Sequence, residues 1–173
     1  MKQQNWHKID HIFTPKNFPT GYRYASVPFI DQIKDNILKV YFSSRDKFNR
    51  SLMFWATFDL ANNFSLLQVS STPEFQLGSL GEFDEYGAMG CQIFSISNEK
   101  YLYYLGWNLG TSTPFRNAIG AAKWDSKTQS YKRIFRGPLL DRSIYDSCFV
   151  ASHHIIKKGD QFYMYYLSCD EWV

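Results

Sequence analysis

The chain has 173 residues, 45% of them hydrophobic and 18% aromatic, with a formal net charge of +3. That length suits one domain with a buried core. Lys and Arg never cluster beyond pairs such as Lys157-Lys158, so the basic stripe of a nucleic-acid binder is missing.

Residues 1–22 read as a lead-in segment, punctuated by Pro15, Pro19 and Gly21. Met1 to Trp6 runs into polar sequence without an apolar leader core, and no run of about 18 apolar residues occurs anywhere. A cytoplasmic protein without a membrane span is the expectation. Strands are predicted at Tyr24–Ile30, Ile37–Phe42, Leu52–Phe58 and Ser65–Ser70. A Gly-rich connection, Gly78-Ser79-Leu80-Gly81, leads to further strands at Ala88–Ser95, Tyr101–Gly106, Ala118–Trp124 and Tyr131–Phe135. The last two predicted strands are Phe149–Ile156 and Gln161–Leu167. Apolar residues alternate or run in short blocks, so almost nothing reads as helix.

The pattern repeats. Phe42-Ser43-Ser44-Arg45, Tyr104-Leu105-Gly106-Trp107 and Tyr166-Leu167-Ser168-Cys169 stand 62 positions apart. Val27, Met89 and Ala151 head a second segment at the same offset. Four short strands per repeat are the unit of a propeller blade. The predicted fold is therefore an all-β propeller of four-stranded blades, with about two and three-quarter blades of five in the chain. Its parts would be residues 23–80, 81–141 and an incomplete 142–173, the pattern of an N-terminal fragment. Open blade edges imply self-association. A β-sandwich with accidental self-similarity is the alternative.

Cys91, Cys148 and Cys169 include no CxxC pair, which argues against a disulfide framework and a zinc site. No metal and no cofactor are expected. The nucleotide-loop, HExxH and GxSxG signatures are also missing.

Blades of this length with aromatic inner strands resemble the five-bladed propellers of glycoside hydrolase families 32, 43, 68 and 130, the invertase, arabinanase, levansucrase and mannoside-phosphorylase relatives. The carrying segments are Tyr24-Ala25-Ser26-Val27-Pro28, Tyr41-Phe42-Ser43-Ser44-Arg45-Asp46, Phe83-Asp84-Glu85-Tyr86-Gly87 and Tyr103-Tyr104-Leu105-Gly106-Trp107. They look like uncharacterised members associated with bacterial polysaccharide clusters. The resemblance implies a central funnel with carboxylates just before the innermost strands, one to protonate a leaving oxygen and one to activate water or attack. The stations match Asp84 and Glu85 in the second repeat and Asp146 in the third. The first repeat offers Arg23-Tyr24-Ala25-Ser26 and no acid.

Asp84 and Asp146 are thus the candidate catalytic acids, each with an alternative life as a turn acid. Arg23, Arg45, Asp46 and Glu171 stand at strand ends where they could meet a ligand or pair between blades. Trp107 and Arg116 offer a stacking face and a planar cation for a sugar. Adjacent His153 and His154 lie on a strand and face opposite sides, so at most one of them reaches a ligand, and His153 is the candidate. Two functions follow: a glycoside hydrolase-like propeller acting on a glycosidic bond of a poly- or oligosaccharide, or a non-catalytic glycan-binding or scaffolding propeller in surface-polysaccharide biosynthesis. Either would take a carbohydrate ligand.

Overall fold

The computed structural model describes residues 6–8 and 10–172, with Gln32 described by its backbone alone. The leader-free start expected from Met1 to Asn5 lies outside the described residues. The described chain is all-β, and its one helical element is a single 3-10 turn, Pro15–Asn17. No helix is long and apolar enough to cross a membrane.

Ten strands form among the described residues. β1 (Arg23–Lys34), β2 (Ile37–Arg45), β3 (Ser51–Asp59) and β4 (Ser65–Val69) make one antiparallel meander. β5 (Gly87–Ile96), β6 (Glu99–Leu109), β7 (Phe115–Asp125) and β8 (Ser130–Arg133) make a second. A single parallel bridge, Ser51 to Gly87, joins the two into one hydrogen-bonded sheet. β9 (Phe149–Lys158) and β10 (Gln161–Cys169) form a separate hairpin. The side-chain amide of Gln92 attaches it: Nε2 donates to the Ile155 carbonyl at 2.9 Å and Oε1 accepts from the Ile155 N–H at 2.7 Å.

Two of the loops between predicted strands are shorter than expected. The predicted polar turn over 31–36 is only Asp35-Asn36, because β1 stays paired with β2 as far as Lys34 and Ile37. The predicted loop over 108–117 likewise shrinks, since Asn108 pairs with Arg116 and Leu109 with Phe115. The same tight turn recurs at the 62-residue offset. Asp35-Asn36 and Ser97-Asn98 have positive φ at both positions, and Gly159 opens the third turn at +62°. Such turns match the right-handed twist of their strands, and Asn and Gly tolerate them best.

Alternation along the strands builds two layers of core. Tyr41 and Met53 face the second meander and pack with Phe75, Leu102, Tyr104 and Tyr131. Phe42 and Phe54 face the other way and are covered by Phe13 and Tyr22 of the lead-in segment. The lead-in therefore covers part of one side of the first meander. β3 is buried on both sides, which explains its unbroken Leu52-Met53-Phe54-Trp55-Ala56 run.

The third hairpin has no such cover. Tyr104 on β6 is fully buried, yet Tyr165 and Leu167 on β10 are 63% and 48% exposed, beside Ile144 at 89%. β10 also pairs with β9 alone, leaving one edge free. We expect the chain to self-associate as its concentration rises through the micromolar range, read by sedimentation velocity. Tyr165→Lys together with Leu167→Lys should return it to monomer. A wild-type chain that stays monomeric would contradict this. A second outcome concerns the core: Met53→Ala should cost about 2–5 kcal/mol in urea unfolding, because the residue is fully enclosed.

Candidate functional site

A chain of strand pairings converges on one end of the sheets. Arg45 closes β2 and pairs with Ser51; Ser51 bridges to Gly87, and Gly87 pairs with Trp107, which pairs with Asn117. The Arg45 guanidinium lies over the Trp107 ring, 5.5 Å from its centroid, and donates to Asn49 Oδ1 at 3.0 Å. Gly87 makes room for the indole: a Cβ there would stand 1.7 Å from Trp107 Nε1. Arg45, Asn49, Tyr86, Met89, Trp107 and Asn117 line a cavity of about 410 Å³.

Asn117 also walls a neighbouring cavity of about 460 Å³, shared with Asn108 and Arg116. Its acids are already taken. Asp141 accepts from Arg116 Nη2 at 2.6 Å, and Glu82 from Arg136 Nε at 2.6 Å. The candidate site is this double cleft: an aromatic wall, amide side chains, the Arg45 guanidinium and two internally paired Arg-carboxylate couples.

The candidate acids precede β5 and β9 and lie outside both cavities. Asp84 has no exposure and lines none of these cavities. Its Oδ2 accepts from the Tyr104 hydroxyl at 2.9 Å and from Arg133 Nε and Nη2 at 2.9 and 2.7 Å. Arg133 Nη2 donates as well to the Gln76 carbonyl at 2.6 Å, and its guanidinium covers the Phe75 ring at 4.5 Å. Gly78 is needed beside it, since a Cβ would meet Asp84 Oδ1 at 2.0 Å. Asp146 is also buried. It accepts from Ser143 Oγ at 2.7 Å and the Tyr166 hydroxyl at 3.4 Å. Hydroxyl donors at Ser168 and Ser143 hold its carboxyl below the usual range.

Asp84 with Tyr104 and Asp146 with Tyr166 are the same pair one repeat apart. The first repeat has Tyr22 and Phe42 at those positions, and there the hydrogen bond is replaced by packing, with the Tyr22 ring 4.5 Å from that of Phe54. Acid and phenol disappear together.

Of the expected binding residues, Arg45 and Trp107 meet in one cavity and Arg116 lines the next. Arg23 is exposed and pairs across from Arg45 on β1, outside both cavities. Glu85 accepts from the Gly81 N–H at 2.6 Å, a loop-closing bond. Asp46 turns inward on its own loop. It accepts from the N–H groups of Phe48 and Arg50 at 2.9 Å each and from Arg50 Nε at 2.8 Å. Burial works against its charge, but these bonds from Arg50 and Phe48 prevail and lower its pKa. Glu171 is exposed beyond β10 and lines neither cavity.

His153 lines neither cavity of the double cleft. It is 7% exposed, its ring stands 6.2 Å from that of Tyr103, and neither nitrogen has a hydrogen-bond partner among the described residues. Burial, helped by His154, drives its pKa down to about 4, so it is a neutral packing residue. His154 faces outward, as the strand period requires. Residues not foreseen from the sequence are Asn49, Tyr86, Met89, Asn108 and the acids Glu82 and Asp141. Tyr86-Gly87 and Asn108 lay inside or beside segments already singled out. Asp141 arrives through a loop returning to β7 by the Ile119–Leu140 bridge, 25 residues from its partner, with no local signal.

Two outcomes are expected. Arg133→Met strands the Asp84 carboxylate in the core and should cost about 3–5 kcal/mol in urea unfolding. His153 is protonated in the unfolded chain below pH 6.5 but stays neutral in the folded one to about pH 4. Stability should therefore fall as pH drops from 6.5 to 4, by about 3 kcal/mol. His153→Leu should flatten that part of the profile.

No protein-family model matches the chain. Two curated relatives from Mycobacterium tuberculosis are each 30% identical over 168 residues: the uncharacterized protein MT1551 of strain CDC 1551 / Oshkosh and the uncharacterized protein Rv1502 of strain ATCC 25618 / H37Rv. The alignment covers 96% of this chain and 56% of each relative, so the chain spans about half the length of the curated relatives it matches. A solved structure of a BT0996 RGII complex superposes on 86% of this chain and 49% of its own, with a TM-score of 0.60 and 11% identity. At that identity the likeness is one of fold alone.

Proposed function

We propose that this chain is a non-catalytic carbohydrate-binding unit, two blades and the first two strands of a third from a β-propeller. Two successive four-stranded meanders and a following hairpin, with a turn recurring at a 62-residue offset, support the blade reading. The solved neighbour named for an RGII complex supports a glycan as ligand, since RGII is a polysaccharide.

The observation that carries the reading is the Arg45–Trp107–Asn117 cleft. A sugar presents an apolar CH face to an aromatic ring and hydroxyls to planar polar side chains. Arg45, seated over the indole, adds a cation suited to the carboxylate of a uronic acid unit. Glycoside hydrolysis, by contrast, needs two carboxyl groups facing each other across a bond. Asp84 is enclosed by Arg133 and Tyr104, Asp146 by Ser143 and Tyr166, and Glu82 and Asp141 are ion-paired. Those commitments favour binding over turnover.

The test is a glycan microarray carrying neutral and uronate-containing oligosaccharides, followed by a reducing-end release assay on whatever binds. Retention of a uronate-bearing glycan without release is expected, with Arg45→Ala and Asn117→Ala each weakening it about tenfold. A blank array would overturn the proposal. Release abolished by Asp146→Asn would return the chain to the hydrolase class.

A further inference from the structure

A second cavity lies at the far end of the same strands. Arg45 closes β2 and Lys39 lies near its start; Trp107 lies near the end of β6 and Lys100 near its beginning. Asp31, Lys39 and Tyr41 from the first meander face Glu99, Lys100, Lys123, Trp124 and Tyr131 from the second across about 490 Å³. This cavity shares no lining residue with the double cleft and is independent of the proposed glycan site.

The charges of this cavity divide unequally. Glu99 holds Lys123 at 2.6 Å, and Asp31 faces Lys100 at 3.8 Å. Nearby Glu74 accepts from Trp55 Nε1 at 3.1 Å. Lys39 has no carboxylate within 4.0 Å among the described residues. Its ammonium is seated instead between two rings, 4.7 Å from the centroids of both Tyr41 and Trp55.

Two phenols complete the set. Tyr41 is 2% exposed and its ring stacks on Phe29 at 5.1 Å; Tyr131 is also buried, edge-on to Trp124 at 5.0 Å. Both line the cavity, and neither hydroxyl makes a hydrogen bond among the described side chains. An ammonium and two hydroxyls thus open on one space beside Asp31 and Glu99, whose charges face Lys100 and Lys123, although buried polar groups are normally satisfied.

We propose that this inter-meander cavity binds the oxyanion group of a small ligand, a carboxylate or a phosphate, through Lys39 Nζ and the hydroxyls of Tyr41 and Tyr131. The Trp124 ring walls the remainder of the ligand, and Lys100 and Lys123 at the rim favour its approach. Burial lowers the Lys39 pKa, and an arriving anion would offset that cost. Because the cavity takes residues from both meanders, occupancy also ties the two together.

The experiment is an amide NMR titration of the 15N-labelled chain with sodium phosphate and, separately, sodium acetate, at constant ionic strength. Saturable shifts around Lys39, Tyr41 and Tyr131 are expected, with an affinity near about 1 mM. Response to phosphate alone assigns a phosphate-bearing ligand, and response to both anions a carboxylate. Lys39→Met should weaken binding roughly tenfold or more through loss of the charge-assisted bond. Tyr131→Phe, which keeps the packed ring, should weaken it less. Absence of saturable shifts with either anion would overturn the proposal, as would shifts unchanged in a folded Lys39→Met chain. Should Lys39→Met fail to fold, wild-type affinity in Tyr131→Phe would overturn it equally.

Discussion

Asp84 holds a carboxylate wholly out of water, and much of the second meander is arranged around that constraint. Arg133 comes from the outermost strand of the meander, Tyr104 from its second, and Asp84 itself from the loop that precedes the first. One carboxylate oxygen therefore joins the outer edge of the sheet to its inner part. Such a pair adds little net stability over apolar packing, but removal of either member leaves a charge the core cannot hold. It acts on register: β6 and β8 can meet Asp84 only in one alignment. Gly78, Gly106 and Gly120 lie where any side chain would collide with Asp84, Phe83 or Tyr104.

The candidate site depends on that alignment. Gly87 follows the Asp84 loop directly, and its pairing with Trp107 sets the indole at the end of β6. The single bridge from Ser51 to Gly87 brings the first meander close enough for Arg45 to cover the ring. Most residues of the double cleft lie near a strand end or in an adjoining loop, supported by the packed core between the meanders. A rigid scaffold with variable ends is a common way to present a binding surface. The same geometry explains the second cavity, because strands that close a cleft at one end leave a gap between the meanders at the other.

The strands were legible in the sequence because their signals are local. Leu52 to Phe58 is apolar but for Thr57, Tyr101 to Gly106 is rich in aromatics, and both appear as strands with ends shifted by one to three residues. Shifts arose where polar residues such as Lys34 and Asn108 continue a ladder, since backbone pairing is indifferent to side-chain polarity. The site was legible only in part. Arg45, Trp107 and Arg116 were visible as polar or aromatic residues at strand ends. Asp84 and Asp146 drew notice by their position before inner strands, yet the arginine and hydroxyl donors that enclose them are set by contacts up to 49 residues apart.

Composition, alternation and the 62-residue offset by themselves determined an all-β chain, the order of its strands and the turns between them. These follow from backbone preference and from the need of alternate side chains to leave water. Tertiary structure decided which polar groups are spent inside the protein and which remain for a ligand. Asp46 and His153 look as available as Arg45 in the sequence, but a loop closes on the first and the second packs beside Tyr103 of the neighbouring meander. Burial and hydrogen bonding between distant segments make that division, and neither has a signature within a few residues of the group concerned.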